Sequence, residues 1–91
     1  MKSVKNLSRI FQVLSVDARL QILRLLGKKA LCVNALASRL GMTPAAISQH
    51  LRIMKDAGIL KAEKRGYYVH YKIASSTFTK WKKVIDAFFK N

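Results

Sequence analysis

Apolar residues recur at three- and four-residue intervals through the first third of the chain, the spacing of helices with one buried face. This spacing predicts a helix over residues 4–14 and a second over residues 16–26. Ser15 is expected to cap the second helix, and Asp17 falls in its positively polarised first turn. Gly27, followed by two lysines, is expected to end that helix.

The middle of the chain predicts a short strand and then a short helix. Residues 30–33 are apolar and too few for a helix, so a strand is expected there. Asn34 is a suitable N-cap for a helix over residues 35–40, which is expected to end at Gly41, where a left-handed backbone is favoured.

A second helix is predicted to follow this one after a tight turn. Thr43 is a suitable N-cap, and Pro44 fits the first helical position because a helix leaves that N–H unpaired. The helix is expected to run to Gly58. Together the two helices form a helix, tight turn, helix arrangement.

The last third of the chain predicts a β-hairpin and a final helix. Residues 59–64 and 68–74 have strand character and are joined by residues 65–67. Ser75 and Ser76 are expected to cap the final helix. Its apolar face comprises Phe78, Trp81, Val84, Ile85, Phe88 and Phe89.

The net charge of the chain indicates what kind of partner it binds. Among 91 residues, 18 Lys and Arg against 4 Asp and Glu give a net charge of +14, while 51% of residues are hydrophobic. The chain is therefore expected to be globular, with residues 1–91 forming a single domain, and a disordered basic tail is excluded. A charge of this sign favours a polyanionic partner, either nucleic acid or an anionic membrane surface.

The cysteine content and the lengths of the apolar runs indicate where in the cell the protein is expected to be. Cys32 is the one cysteine and has no partner for an internal disulfide. Apolar runs are too short to span a membrane, and the basic N-terminal stretch lacks a small-residue cleavage site. A cytoplasmic location is expected.

The helix after Thr43 presents a set of side chains suited to reading DNA. At about 100° per residue, one stripe is expected to be buried, namely Ile47, Leu51 and Met54. The opposite face carries Ala45, Ser48, Gln49 and Arg52. Glutamine pairs with adenine and arginine with guanine or phosphate in the major groove. The alternative is an ordinary solvated helix face, and the position directly after a helix and turn favours DNA reading.

The hairpin tip offers a second contact. Lys64, Arg65 and Tyr67 surround Gly66, so the tip can lie along a phosphate backbone or in a minor groove. The alternative is a charge cluster that protects a strand edge.

Four segments of the chain resemble the ArsR/SmtB-type transcriptional repressors. They are SVDARLQIL at 15–23, TPAAISQHLR at 43–52, KDAGIL at 55–60 and GYYVHYKI at 66–73. The resemblance covers roughly residues 8–75. It implies a mainly α fold with a small β-hairpin, a winged helix-turn-helix of about five helices plus a two-stranded wing.

The resemblance also implies a homodimeric repressor that binds double-stranded DNA at a twofold operator. The residues expected to contact DNA are Thr43, Ala45, Ser48, Gln49, Arg52, Lys55, Lys64, Arg65 and Tyr67. The family dimerises through its first and last helices. The corresponding interface residues are Leu7, Ile10, Phe11, Leu14, Phe78, Trp81, Ile85, Phe88 and Phe89.

Metal sensing by family members has no counterpart in this sequence. One family site needs two cysteines separated by one residue, and here Asn34 stands in place of the second. Another uses Asp, His and Glu ligands along the last helix, where this chain has only Asp86. One thiolate falls short of the three or four ligands of a tight site, so no metal or cofactor is expected. A ligand donated across the dimer is left open.

The remaining chemistry-bearing residues have structural interpretations. His50 and His70 are expected to be packed and hydrogen-bonded, and Cys32 to behave as a small buried hydrophobe. No grouping of side chains suggests an enzyme. The alternative function is a non-specific basic DNA- or RNA-binding protein. A basic amphipathic protein on a membrane surface is a third interpretation. No membrane partner is expected, because the aromatic face of the last helix is equally well explained as a dimer interface. The sequence identifies no effector.

Overall fold

The computed structural model describes residues 2–90, with side chains from residue 4. Met1 and Asn91, the two ends of the expected domain, lie outside the described residues. The helices are α1 (Lys2–Leu14), α2 (Asp17–Leu26), α3 (Val33–Leu40), α4 (Pro44–Asp56) and α5 (Ser75–Phe89). The strands are β1 (Leu31–Cys32), between α2 and α3, and β2 (Leu60–Arg65) and β3 (Tyr68–Ile73), between α4 and α5.

The turn between α3 and α4 follows the sequence prediction. Gly41 ends α3 in a left-handed conformation with φ +63°, which glycine adopts without the steric cost of a Cβ. The Thr43 hydroxyl accepts a hydrogen bond from the backbone N–H of Ala46 over 3.1 Å, and Pro44 is the first residue of α4. The backbone conformation of Gly41 and the side-chain cap of Thr43 therefore fix where one helix stops and the next begins.

Three predicted N-caps are wrong, and neighbouring contacts explain each case. Val16 occupies the cap of α2, while the Ser15 hydroxyl donates 3.0 Å back to the carbonyl of Gln12 in α1. Asn34 lies inside α3, because pairing of β1 ends at Cys32 and the helix begins at the next residue.

At the start of α5 the cap position is Ala74, and neither Ser75 nor Ser76 is the N-cap. The backbone N–H of Ala74 donates 2.8 Å to the carbonyl of Ile59, so a bond to the chain before β2 sets the direction in which the helix begins. No side-chain cap is made there.

The wing belongs to a three-stranded antiparallel sheet in the order β1–β3–β2, one strand more than the two-stranded wing expected from the sequence. In the hairpin, Leu60 pairs with Ile73 and Arg65 with Tyr68. The short apolar stretch adds β1 to the far edge of β3, where Cys32 pairs with His70. This third strand attaches the wing to the start of α3.

The core lies between α2, α3, α4 and the sheet. Its largest fully buried side chains are Ile22, Leu36, Ile47, Leu51, Met54 and Ile59. The first and last helices, α1 and α5, pack against each other beside this core. The predicted buried stripe of α4 is thereby confirmed, and its opposite face is left open.

Candidate nucleic-acid interface

The face of α4 opposite the core is exposed along its whole length. Ala45, Ser48, Gln49 and Arg52 are all exposed, while Ile47 on the other side is completely buried. Because α4 packs on α2, α3 and β2, these four side chains project from a fixed support. The arrangement provides an amide, a hydroxyl and a guanidinium, groups that can pair with base edges in a major groove, with a small residue near the N-terminus of the helix.

Residues at the two ends of this face are also exposed. Thr43 precedes the helix and Lys55 lies in its last turn. The Thr43 oxygen accepts the capping hydrogen bond, so its hydroxyl proton stays free to donate to a phosphate. The predicted DNA-contacting residues of α4 therefore lie together on one surface.

The wing carries the second set of predicted contacts. Gly66 has φ +64°, which allows a two-residue turn, and Tyr67 beside it is 99% exposed. Lys64 and Arg65 are exposed on opposite faces of the hairpin, because adjacent residues of a strand alternate sides. The tip is therefore free to approach a nucleic acid.

Glu63, which the sequence analysis did not single out, neutralises part of the wing. Its carboxylate accepts from Arg65 Nε over 3.2 Å and from Lys72 Nζ over 3.1 Å. Hydrogen bonds from Lys72 and Arg65 lower the pKa of Glu63 below its usual value, so the carboxylate stays ionised near neutral pH and the pair breaks only in acid. Of the two predicted wing cations, Lys64 is the one without this pairing.

His50 is packed and hydrogen-bonded, as expected, but through a partner that the sequence did not indicate. Arg19 of α2 donates from Nε to Nδ1 of His50 over 3.2 Å in a partly buried contact. His70 differs from the prediction, because its buried Nδ1 has no hydrogen-bond partner among the described residues. On β3, His70 pairs with Cys32 of β1 across the sheet.

Cys32, His70 and Glu63 lie in one row across the sheet, since His70 pairs with Cys32 on one side and Glu63 on the other. Cys32 is half-buried and its thiol is free. Within residues 2–90, no three His, Cys, Asp or Glu side chains are grouped closely enough to hold a metal ion.

The predicted dimer residues divide into three groups by exposure. Leu7 and Ile10 are each only 5% exposed, so they serve chiefly the packing within one chain. Four phenylalanines on α1 and α5 remain exposed, namely Phe11, Phe78, Phe88 and Phe89. Trp81 and Ile85 lie half-buried on α5, and Leu14 is half-buried at the end of α1.

None of the helices in residues 2–90 has the length and apolar character needed to cross a membrane.

Comparisons with known proteins agree with this geometry. The pattern of the family described as bacterial regulatory protein, arsR family, matches residues 17–62. An HTH-type transcriptional regulator of Methanocaldococcus jannaschii is 33% identical over 87 residues, covering 94% of this chain and 98% of that protein. The arsenical resistance operon repressor of Escherichia coli is 33% identical over 79 residues, covering 86% and 68%.

A solved structure extends the similarity to three dimensions. It is the homodimeric winged helix-turn-helix DNA-binding domain of a possible ArsR-family regulator from Mycobacterium bovis. The two chains are 27% identical and superpose with a TM-score of 0.77, covering 93% of this chain and 79% of the other.

Proposed function

Because the chain belongs to the arsR family of bacterial regulatory proteins, we propose that it is a sequence-specific, DNA-binding transcriptional repressor. It acts as a homodimer on a twofold-symmetric operator in the cytoplasm, and it catalyses no reaction. The observation that carries the proposal is the exposed face of α4, where Ser48, Gln49 and Arg52 project from a helix-turn-helix whose turn is fixed by Gly41 and Thr43.

In this proposal α4 lies in the major groove and the wing follows the adjacent backbone. Gln49 and Arg52 contact base edges, while Thr43, Lys55 and Lys64 bind phosphates. Tyr67 at the wing tip reaches the neighbouring minor groove. Each half of the operator then meets one α4 helix, so the half-sites should lie about one or two helical turns of DNA apart.

The homodimer is supported by the aromatic surface on α1 and α5. Phe88 is 45% exposed and Phe89 69%, and their rings stack edge to face with centroids 5.1 Å apart. A paired apolar surface of this kind is typical of an interface, because a small monomer gains little by exposing it. We expect a dimer mass by light scattering at tens of micromolar protein without DNA, and a monomer mass there would contradict the homodimer.

Selection from a pool of random DNA duplexes tests the proposal as a whole. We expect the selected sequences to share a twofold-symmetric site, bound at least about 10³-fold more tightly than random duplex at the same salt concentration. A ratio near one would contradict it and favour the alternative, a non-specific basic DNA- or RNA-binding protein, which the net charge of +14 alone could support.

A further inference from the structure

A single guanidinium connects the end of α1 to the proposed recognition helix. Arg19, in α2, donates from Nε to Nδ1 of His50 in α4 over 3.2 Å. Its Nη1 donates to the backbone carbonyl of Val13 over 3.2 Å and to that of Gln12 over 3.4 Å. Three helices therefore meet at one side chain.

The donors and acceptors of this contact are fixed by chemistry. Arginine stays protonated and offers only donors, so the Nδ1 of His50 must accept with its lone pair, which places the imidazole proton on Nε2. At the other end, the guanidinium lies against carbonyls of the last turn of α1, which carry the negative end of the helix dipole. Arg19 thus satisfies groups in both helices at once.

The contact lies beside open space between α1 and α4. A surface cavity of about 390 Å³ lies between α1 and α4 and is lined by residues that include Arg9, Gln12, Ile53 and Asp56. Arg19 lines the same cavity and donates to His50 beside it. His50 directly follows Gln49 and lies two residues before Arg52, so a change in its position is passed to the groove-facing side chains.

We propose that Arg19 and His50 are positioning residues for DNA binding, and that their hydrogen bond fixes the orientation of α4 relative to α1. The inference rests on the proposed function, in which α1 belongs to the dimer interface. A twofold operator requires two recognition helices at a set spacing, so an element that ties α4 to the interface helix controls affinity for that operator. Random DNA imposes no such spacing and should be bound almost equally well without the contact.

A double-mutant cycle with Arg19→Met and His50→Leu tests this proposal. Both variants keep an apolar stem and remove the hydrogen bond. We expect each to lower affinity for the selected twofold site about tenfold, the double variant to bind no worse than Arg19→Met, and affinity for random duplex to change less than threefold. His50→Asn places an amide oxygen on Cγ, where Nδ1 of the histidine is attached, so it should restore most of the loss.

Two further measurements separate positioning from folding and from the proposed function. The free energy of unfolding in urea shows whether a variant is destabilised, and amide ¹⁵N NMR of the free protein should show changes along α4 and the end of α1 in an otherwise unchanged fold. Losses that multiply in the double variant, or equal losses on operator and random duplex, would overturn the proposal. So would His50→Asn binding as weakly as His50→Leu. If the wild type itself prefers no DNA sequence, the proposed function fails instead.

Discussion

Glu63 controls how much of the charge of the wing is available to DNA. Its carboxylate holds both Arg65 and Lys72, so three residues contribute a net charge of only one cation. We expect Glu63→Gln to raise affinity for all DNA sequences alike and to steepen the salt dependence by about one to two counterions, because both cations become free to neutralise phosphates.

Asp17→Asn is the matched control for this prediction, since it adds the same unit charge on α2, away from the wing. Filter binding to operator and to random duplex, each over a series of salt concentrations, measures both effects. Equal gains from the two substitutions would show that net charge alone matters and that the ion pairs of the wing do not.

Substitutions of Gln49 and Lys64 should differ in their effects on DNA binding, because we propose that Gln49 reads a base and that Lys64 binds a phosphate. We expect Gln49→Ala to relax preference at one operator position by roughly 1–3 kcal/mol. Lys64→Ala should weaken binding to every sequence and reduce the salt slope by about one. Competition among single-base operator variants measures the first effect, and a uniform loss from Gln49→Ala would show that it does not face the groove.

Side chains on the surface of α4 could be assigned from sequence because the helical period alone separates Ile47 and Leu51 from Gln49 and Arg52. Glu63 and Arg19 could not be found in this way. The pairing of Glu63 with Lys72 depends on the register of two strands, and the contact of Arg19 with His50 spans 31 residues. Neither the register nor the distance between helices is encoded in local spacing.

At the scale of elements, two glycines near helix ends give a clear contrast. Gly41 has φ +63° and open space around a Cβ, so Gly41→Ala should cost about 1–2 kcal/mol through backbone strain alone. Gly27 has φ −63°, and a Cβ there meets only carbonyls at 3.4 and 3.5 Å. Gly27→Ala should therefore be neutral or stabilising, by up to about 1 kcal/mol.

Urea unfolding at one protein concentration compares these two variants with the wild type, which removes the concentration dependence that dimerisation brings. Equal effects of the two substitutions would contradict the assignment of strain to the turn between α3 and α4.

The order of the helices and strands was predictable because glycine, proline and apolar period mark it directly. The first residue of each helix was harder to predict from the sequence. Ser15, Asn34 and Ser75 each have the chemistry of a cap, yet none of them is an N-cap. Ser15 bonds back to α1, whereas pairing of β1 and the bond between Ala74 and Ile59 decide where α3 and α5 begin. Long-range contacts of this kind override local preference.

The whole molecule is longer than a compact domain of its size. Its extents are 47 × 22 × 20 Å and its radius of gyration is 14.0 Å, against about 12 Å expected for a compact chain of this length. The family resemblance predicted the winged helix-turn-helix architecture and a dimer interface on α1 and α5. It did not predict that Leu7 and Ile10 would be buried within one chain, because their burial follows from how α1 packs on α5.

The soft ligands that the sequence provides limit any regulation by metals, because Cys32 is its one cysteine. We expect operator affinity to be the same with zinc, cadmium, arsenite or a chelator, because two copies of Cys32 provide too few soft ligands for a tetrahedral site. Titration of each ion against the protein–operator complex checks this, with Cys32→Ser as the matched variant. Release at micromolar metal that Cys32→Ser abolishes would reveal a site completed by His70 or by the partner chain.

Trp81 gives the molecule an optical reporter. It is the one tryptophan of the sequence, and it lies half-buried on α5 beside Arg9 and Ile10 of α1. Indole emission moves to shorter wavelength as water is excluded, so association of two chains through these helices should shift the spectrum of the unlabelled protein. Dilution alone would then yield the dissociation constant of the dimer, with no dye attached and no residue changed.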